Sequence, residues 1–398
     1  MWDRKAVRFD PYSEECRRDP YPVFRDLRDN QPAYFDEERG FWALSRFEDV
    51  LGALHDPSTF ISGEGIILEG GQIRMPYPMI IAMDPPRHSQ LRALVARGFT
   101  ARPIGANSSA IRALANELID GFAASGSVEL VGAFSGVLPL LVIGSLLGVE
   151  RDGLDEFHRL ADTMMNQHPA DPPSIEAGRA ASTAILERIS AIVEDRRRSP
   201  RDDLVSALVA ATVEGDRLAD EEIIGFCYLL ILAGTETTAN LIANGVMALA
   251  NHPDQRSELM ADPTLLPDAV EEVLRWDSPV QSQARTTTRP VELHGRTIPP
   301  GVKVLILFGS AGRDDREYPD AERFDIHRRI ERHLTFGHGI HYCLGAALAR
   351  LEAQIAFEEL LGRIPDWQVD ADQRQLDRIR SYMVRGPARL PLAFTPAG

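Results

Sequence analysis

The chain has 398 residues and a formal net charge of −16, from 43 lysine and arginine residues against 59 aspartate and glutamate residues. This acidity argues against general nucleic-acid binding. Three cysteines argue against a disulfide framework and suit a reducing cytoplasm. The amino end is charged and contains proline but has no apolar stretch of the length that a signal peptide or membrane anchor needs, so we expect a soluble cytoplasmic protein with no membrane partner.

No linker, repeat or low-complexity tract interrupts the chain, which predicts one domain over residues 1–398. Helical periodicity is found, in chain order, at 21–30, 47–55, 88–98, 110–123, 173–198, 220–251, 267–276 and 346–361. Strand-like runs are found at 33–35, 41–43, 291–293, 303–308 and 390–394. We expect residues 10–20 to be irregular. The fold class is therefore mainly α with a minor β region.

The helix predicted over 220–251 is apolar nearly all round, so it should run through the centre of the protein. Ala-Gly-Thr-Glu-Thr-Thr at 233–238 interrupts it, and Glu236 arrives too soon for a membrane span. Burying a carboxyl group among apolar residues is unfavourable unless it is hydrogen-bonded or has a function. Glu236 therefore either has a chemical role or belongs to a polar kink in the helix whose hydrogen bonds are satisfied.

The loop at 336–345 reads Phe-Gly-His-Gly-Ile-His-Tyr-Cys-Leu-Gly and leads into the predicted helix 346–361. Its glycines would let the backbone pass close to a flat cofactor, and amides at the helix start could stabilise a negative sulfur on Cys343. A buried cysteine is more often an inert small hydrophobe. Zinc bound by His338, His341 and Cys343 is a further alternative, which Cys16 and Cys227 do not support because neither has a close Cys or His in sequence.

The pattern Phe-Gly-x-Gly-x-His-x-Cys-x-Gly is met at every defined position. It resembles the heme loop of the cytochrome P450 family, heme-thiolate monooxygenases in which this cysteine is the proximal iron ligand. The resemblance implies heme b as cofactor, Cys343 as the metal ligand, and contacts to heme from Phe336, Gly337 and Gly345. It also implies the family's single-domain fold, with a long oxygen-binding helix over the heme.

Two more segments resemble family motifs. Residues 233–238 resemble the oxygen-binding helix, which implies that Glu236 and Thr237 are the catalytic acid–threonine pair that manages protons. Glu272 and Arg275 are three residues apart and share a helix face, a spacing that alone indicates only a surface ion pair. They match the family's buried Glu-x-x-Arg element, which implies a structural network with Arg323 that supports the heme loop.

Heme carries two propionates that need cationic or hydrogen-bonding partners when they are buried. The segment 83–92 resembles the start of the family's third helix and places His88 and Arg92 one turn apart. By the same resemblance, Arg285 and His341 are the remaining propionate partners.

The family's pocket-lining positions fall on a largely apolar set of residues, namely Leu229, Leu232, Ala233, Gly234, Val280, Gln281, Tyr382 and Met383. Residues 61–81 are rich in Ile, Met and Gly, and form either a flexible lid over the substrate or a packed loop. Gln281 either binds a substrate oxygen or satisfies nearby backbone groups.

The resemblance implies insertion of one oxygen atom from O2 into a small to medium-sized hydrophobic substrate, with electrons from NAD(P)H through a ferredoxin reductase and a ferredoxin. A peroxygenase that uses hydrogen peroxide and a non-catalytic heme sensor are the alternatives, and the intact Glu236–Thr237 pair argues against both. We expect ferredoxin to dock on a positive face formed by Arg87, Arg92, His327, Arg328, Arg329 and Arg332. The alternative is that several of these arginines bind the heme propionates or form internal ion pairs.

Overall fold

A computed structural model of the protein describes residues 8–69, 77–96, 105, 107–165, 172–213, 216–373 and 375–396. The α-helices in this part of the chain are α1 (Glu14–Arg18), α2 (Tyr21–Asn30), α3 (Phe47–His55), α4 (Arg87–Val95), α5 (Ser108–Asp120), α6 (Val137–Leu146), α7 (Arg151–Met165), α8 (Pro172–Arg198), α9 (Leu204–Ala210), α10 (Asp220–Asn251), α11 (Pro253–Ala261), α12 (Leu266–Trp276), α13 (Phe308–Ala311) and α14 (Ala346–Arg363).

The strands of the described residues are short and divide among four sheets. They are β1 (Ala33–Asp36), β2 (Phe41–Leu44), β3 (Phe60–Ile61), β4 (Ser127–Glu129), β5 (Thr212–Val213), β6 (Asp216–Arg217), β7 (Ser282–Thr287), β8 (Val291–Leu293), β9 (Arg296–Ile298), β10 (Lys303–Leu307), β11 (Gln368–Val369) and β12 (Pro391–Ala393). The largest sheet has the order β1-β2-β10-β7-β3.

Strand β7 places polar side chains at the site described below. It pairs antiparallel with β10, so that Gln283 lies opposite Ile306 and Arg285 lies opposite Val304. Because side chains alternate along a strand, Gln283 and Arg285 lie on the same face of the sheet.

Helix α10 is the central helix of the fold. Glu222 stabilises its start, because this carboxylate accepts a hydrogen bond from the Ala219 backbone N–H at 3.1 Å. The helix packs against α6, α8, α12 and α14. By length and composition it could cross a membrane, but 56% of its most apolar window is buried inside the protein, as expected for a core helix. Gly245 allows α14 to approach closely, because a Cβ there would lie 2.2 Å from the Phe357 ring.

The predicted mainly α fold with a minor β region is confirmed. The expectation of irregular structure at 10–20 is wrong for residues 14–18, which form α1. Ser13 caps α1, since its hydroxyl accepts a hydrogen bond from the Cys16 N–H at 3.1 Å. The helix expected at 88–98 begins at Arg87 and ends at Val95; residues 97 and 98 lie outside the described residues.

Several helices of the described residues were not predicted from the sequence, and two of them, α6 and α7, contribute many residues to the core. Helix α6 is apolar on all sides and therefore shows no helical periodicity. Helix α7 does carry the signal, because its buried Leu154, Phe157, Ala161 and Met164 recur every three or four residues.

Candidate active site

A large cavity lies between α10, the start of α4, strand β7 and the loop that ends at Cys343. The space between its walls, together with the part open to solvent, is about 1250 Å³. Its walls are mainly apolar, with a few polar and charged side chains, as is usual for a small-molecule site.

Helix α10 forms one wall of this cavity through a single stripe of residues. The members recur every three or four positions and are Phe226, Leu229, Leu230, Ala233, Gly234, Thr237, Thr238 and Leu241. Most of the stripe is apolar, and its two hydroxyls are adjacent in sequence. Gly234 is needed for packing on its other side, because a Cβ there would lie 3.0 Å from Cδ1 of Ile143.

Thr237 and Glu236 differ in how they face the cavity. The Thr237 hydroxyl lines the cavity and donates a hydrogen bond to the Ala233 carbonyl, four residues earlier, at 2.6 Å. The Glu236 side chain lies off the lining stripe, and burial raises the pKa of its carboxyl. A carboxyl with a raised pKa can hold and release a proton closer to neutral pH.

Cys343 lines the opposite wall, at the end of a tight loop. Its N–H donates to the Phe336 carbonyl at 2.9 Å, and Gly337 and Gly339 both adopt a φ of 67°. A Cβ on Gly339 would lie 2.6 Å from the Leu54 carbonyl oxygen, so this close approach requires glycine.

The Cys343 thiol is surrounded by protein but open towards the cavity. Burial raises the pKa of this thiol, while the Gly345 amide and the cations Arg92 and Arg350 act in the opposite direction. A metal bound at the sulfur would deprotonate it. The thiol is therefore a suitable ligand for a metal held inside the cavity.

Four basic side chains meet at one end of the cavity: His88, Arg92, Arg285 and His341. His88 is buried, and within the described part of the chain neither of its ring nitrogens has a hydrogen-bond partner; the centroid of its ring lies 4.2 Å from that of His341. Burial lowers the pKa of Arg285 to about 10, and that of His341 to about 3 with a further contribution from the neighbouring basic groups. The Arg285 guanidinium donates to the Ala284 carbonyl at 2.8 Å and to the Gln283 side chain at 3.3 Å.

Asp84 is an acid close enough to act on Arg285 and His88, but its carboxylate already accepts hydrogen bonds from the Ser62 and Gly63 N–H groups at 2.8 Å. A buried cluster with this excess of basic groups favours the binding of an anion. A flat cofactor with two carboxylates, bound through its metal to Cys343, fits both the basic cluster and the cavity. The residues present therefore fit heme.

Behind the Cys343 loop lies a fully buried ion pair. Arg275 donates to both carboxylate oxygens of Glu272 at 2.7 Å, and also to the backbone carbonyls of Gly312 and Ala321 at 2.7 and 2.8 Å. The Asp325 N–H donates to Glu272 at 2.8 Å. Because every strong hydrogen-bonding group has a partner, this network can be held in the interior.

The Cytochrome P450 family model matches residues 155–387 of the chain. The chain belongs to the cytochrome P450 family. It is 40% identical to cytochrome P450 107B1 of Saccharopolyspora erythraea over 88% of each chain. It is 38% identical to the vitamin D(3) 25-hydroxylase of Pseudonocardia autotrophica, covering 97% of this chain and 96% of the relative. The structure of cytochrome P450 CYP109Q5 from Chondromyces apiculatus superposes with a TM-score of 0.90 at 37% identity, covering 98% of both chains.

Membership confirms the expected fold, the heme b cofactor and the enzyme class. The protein is a heme-dependent monooxygenase that acts with O2, a hydrophobic substrate and redox partners. The zinc alternative has no support in the described part of the chain, where no group of three or more His, Cys, Asp or Glu could hold a metal ion.

In this P450, the Arg323 side chain was expected to join the network of Glu272 and Arg275, but it does not. Its side chain is 68% exposed and lies 3.7 Å from Asp325, and only its backbone carbonyl accepts a hydrogen bond from Arg275, at 3.2 Å. Arg328 takes the expected place, with Nε 3.3 Å from a carboxylate oxygen of Glu272. The chain turns after Arg323, and this turn brings the Arg328 side chain back towards Glu272.

Four of the expected pocket residues do not line the cavity. Leu232 lies off the α10 stripe. Gln281 precedes β7 and turns away from the cavity: its amide donates to the Ser278 carbonyl at 2.7 Å and to the Tyr21 hydroxyl at 3.3 Å. The Tyr382 hydroxyl donates to Glu69 at 2.9 Å. The Met383 carbonyl accepts from the Gln281 N–H at 2.7 Å, so this turn supports the wall from behind.

The other expected pocket residues, Leu229, Ala233, Gly234 and Val280, do line the cavity. Gln283, at the end of the pocket segment 280–283 that the family resemblance implies, lines it as well. Further lining residues on α10 were not predicted from the sequence and include Phe226, Leu230 and Thr238. Helical spacing from Leu229 identifies Phe226. Residues 70–76 of the expected lid lie outside the described residues.

The positive docking face is largely neutralised by acidic partners. Arg87 pairs with Glu222, Arg329 with Asp268, and Arg332 with Glu317. His327 lies 2.7 Å from Glu258, and Arg328 reaches the buried Glu272 as described above. The expectation of an unpaired basic patch is therefore wrong, because the acids come from helices and loops distant in sequence.

Proposed function

We propose that this enzyme inserts one oxygen atom into a medium-sized, largely apolar organic molecule, with electrons delivered by a ferredoxin. The observation that supports this most is the largely apolar α10 stripe, which includes Thr237 and Thr238, on the wall opposite Cys343. A substrate held by the apolar side chains would have few polar groups to desolvate.

In this proposal Cys343 binds the heme iron as thiolate, while Phe336, Gly337 and Gly345 contact the heme. When bound, the heme supplies the oxidising chemistry, and the thiolate favours cleavage of the oxygen–oxygen bond. His88, Arg92, Arg285 and His341 hold the two propionates. This accounts for the two unpartnered ring nitrogens of His88 and for the buried guanidinium of Arg285.

Protons are delivered by this chain's own groups. The Glu236 carboxyl lies on α10, and burial raises its pKa, so that it can hold a proton beside the cavity wall. At rest the Thr237 hydroxyl donates its hydrogen to the Ala233 carbonyl. To act in the route, the Thr237 oxygen accepts a proton from the side of Glu236, and the hydroxyl hydrogen turns from Ala233 into the cavity and is given up there. The apolar wall keeps bulk water from competing with this route.

Relatives suggest which substrates to test first. A solved structure of CYP109E1 from Bacillus megaterium in complex with testosterone has a TM-score of 0.86 at 34% identity, covering 94% of this chain and 99% of that one. Together with the vitamin D(3) 25-hydroxylase, it makes polycyclic, steroid-sized molecules the first probes for this cavity.

For electron transfer, we propose that ferredoxin docks where the Cys343 loop reaches the surface. Tyr342 is 39% exposed there and precedes Cys343, which gives a short path to the sulfur. Its backbone carbonyl accepts a hydrogen bond from Arg92, and its hydroxyl accepts one from Arg350 at 3.3 Å. The ion-paired arginines nearby would then contribute to orientation more than to attraction.

Two further proposals concern the chain as a whole. We infer that residues 1–398 form one monooxygenase domain, because the relatives and solved structures named above are matched over 88–98% of this chain. We infer a cytoplasmic location from the likeness to soluble bacterial enzymes and from the three cysteines, none of which forms a disulfide in the described residues.

The test is a steroid-centred panel scored by the spin-state shift of the heme. Compounds that bind are then supplied with ferredoxin, its reductase, NADPH and isotopically labelled O2. One labelled oxygen atom in the product supports the proposal. Product formed only with added hydrogen peroxide would identify a peroxygenase, and ligand binding without any product would identify a sensor.

A further inference from the structure

Two histidines meet at the protein surface beside the Cys343 loop. His55 is the last residue of α3, and His338 lies in the loop between Phe336 and Cys343. Nε2 of His55 lies 2.6 Å from Nδ1 of His338, and the two rings meet edge to face with centroids 4.4 Å apart. The two ring nitrogens therefore point at each other from different elements of the fold.

Two facing imidazole nitrogens can share one proton, or both can bind a metal ion. We propose that His55 and His338 form a surface site for a divalent transition metal, preferably Cu²⁺ or Ni²⁺, with water as the remaining ligands. The site is separate from the heme cavity, whose lining includes neither residue. It does not depend on the proposed substrate or redox partner.

The distance between the nitrogens selects among metals. With metal–nitrogen bonds of roughly 2.0–2.1 Å, two nitrogens at adjacent corners of a square lie about 2.9 Å apart, and at two corners of a tetrahedron about 3.4 Å apart. In this structure the two nitrogens are 2.6 Å apart, so they must separate slightly to bind one ion. The square arrangement of Cu²⁺ or Ni²⁺ requires a smaller increase in this distance than the tetrahedral arrangement of Zn²⁺.

The surroundings of the two histidines allow their ring nitrogens to move apart. The His55 side chain is exposed and sits at the carboxyl end of a helix, where the partial negative charge of the last carbonyls favours a cation. The Gly339 N–H donates to Nδ1 of His338 at 2.9 Å. Gly339 is exposed, so its N–H can donate to water when the His338 ring turns and Nδ1 binds metal.

One cation lies close enough to oppose binding. Burial, His55 and Arg332 lower the pKa of His338, which leaves its imidazole neutral at pH 7 with a lone pair to offer. The charge of Arg332 is offset by Glu317, whose carboxylate oxygen lies 2.8 Å from the Arg332 Nε. A bound ion would tie the end of α3 to the loop that carries Cys343.

The test uses untagged, heme-loaded protein in equilibrium dialysis against Ni²⁺ and against Cu²⁺. We expect wild-type protein to take up one tightly bound ion. His55→Asn should weaken this binding by roughly 10²-fold, because the second ligand of a pair gains from its high local concentration. His338→Asn should do the same, and both variants should keep their heme spectrum.

His327→Asn is the matched control, because this exposed ring meets a carboxylate of Glu258 instead of a second imidazole. Metal uptake by this variant should equal that of wild type. The Cu²⁺ resonance spectrum should show two nitrogen ligands in wild type and one in His55→Asn. Equal uptake by wild type and His55→Asn, or an equal loss in His327→Asn, would overturn the proposal.

Discussion

Removal of the buried Glu272 carboxylate should cost a large part of the stability of this protein. Glu272→Ala deletes two bonds of 2.7 Å to Arg275 and one of 2.8 Å from the Asp325 N–H. Arg275 is fully buried and keeps only its carbonyl partners. Removing one partner of such a buried pair costs about 3–5 kcal/mol.

This loss is substantial against a typical total stability of about 5–15 kcal/mol. The assay is urea unfolding of heme-loaded protein followed by far-ultraviolet circular dichroism, together with heme content after purification. Asp268→Ala is the control on the same helix, because its partner Arg329 is 82% exposed and such a pair is worth about 0–1 kcal/mol. If the two variants lose the same free energy of unfolding within about 1 kcal/mol, the argument from burial is wrong.

Three further variants test individual side chains. Thr237→Ala should keep heme and substrate binding but divert NADPH electrons to peroxide or water, with a loss in productive rate of up to roughly 10²–10⁴-fold; unchanged product per NADPH would remove Thr237 from the proton route. Arg285→Gln should speed the transfer of heme to apomyoglobin, because a buried cation near the propionates is lost; an unaltered transfer rate would argue against that contact. Arg323→Ala should change the free energy of unfolding by less than about 0.5 kcal/mol, whereas Arg328→Ala should lower it by about 1–3 kcal/mol. A larger loss in Arg323→Ala than in Arg328→Ala would show that Arg323 is the partner of Glu272, as the sequence predicted.

The parts of the site that follow each other along the chain could be predicted from the sequence. The loop that ends at Cys343 is a local motif, because its glycine turns and the helix behind it depend on neighbouring residues. The α10 stripe follows from helical spacing alone, so one lining residue identifies the next.

The contacts between distant segments could not be predicted in the same way. Arg328 reaches Glu272 because of how the chain turns after Arg323, and no local pattern reports that turn. Gln281 precedes β7, so strand alternation does not fix its direction, and its amide is taken up by Ser278 and Tyr21. The prediction of a basic docking face was wrong for the same reason, because the acids that pair with its arginines lie on other elements.

The most direct test of this account is the absorption spectrum of the reduced carbon monoxide complex in wild type and in Cys343→Ala. The account predicts that wild type shows the absorption typical of thiolate-ligated heme. The variant should lose that absorption while its far-ultraviolet circular dichroism shows the same helical content. If the folded variant binds heme and keeps the thiolate spectrum, another residue ligates the iron and the assignment of Cys343 is wrong.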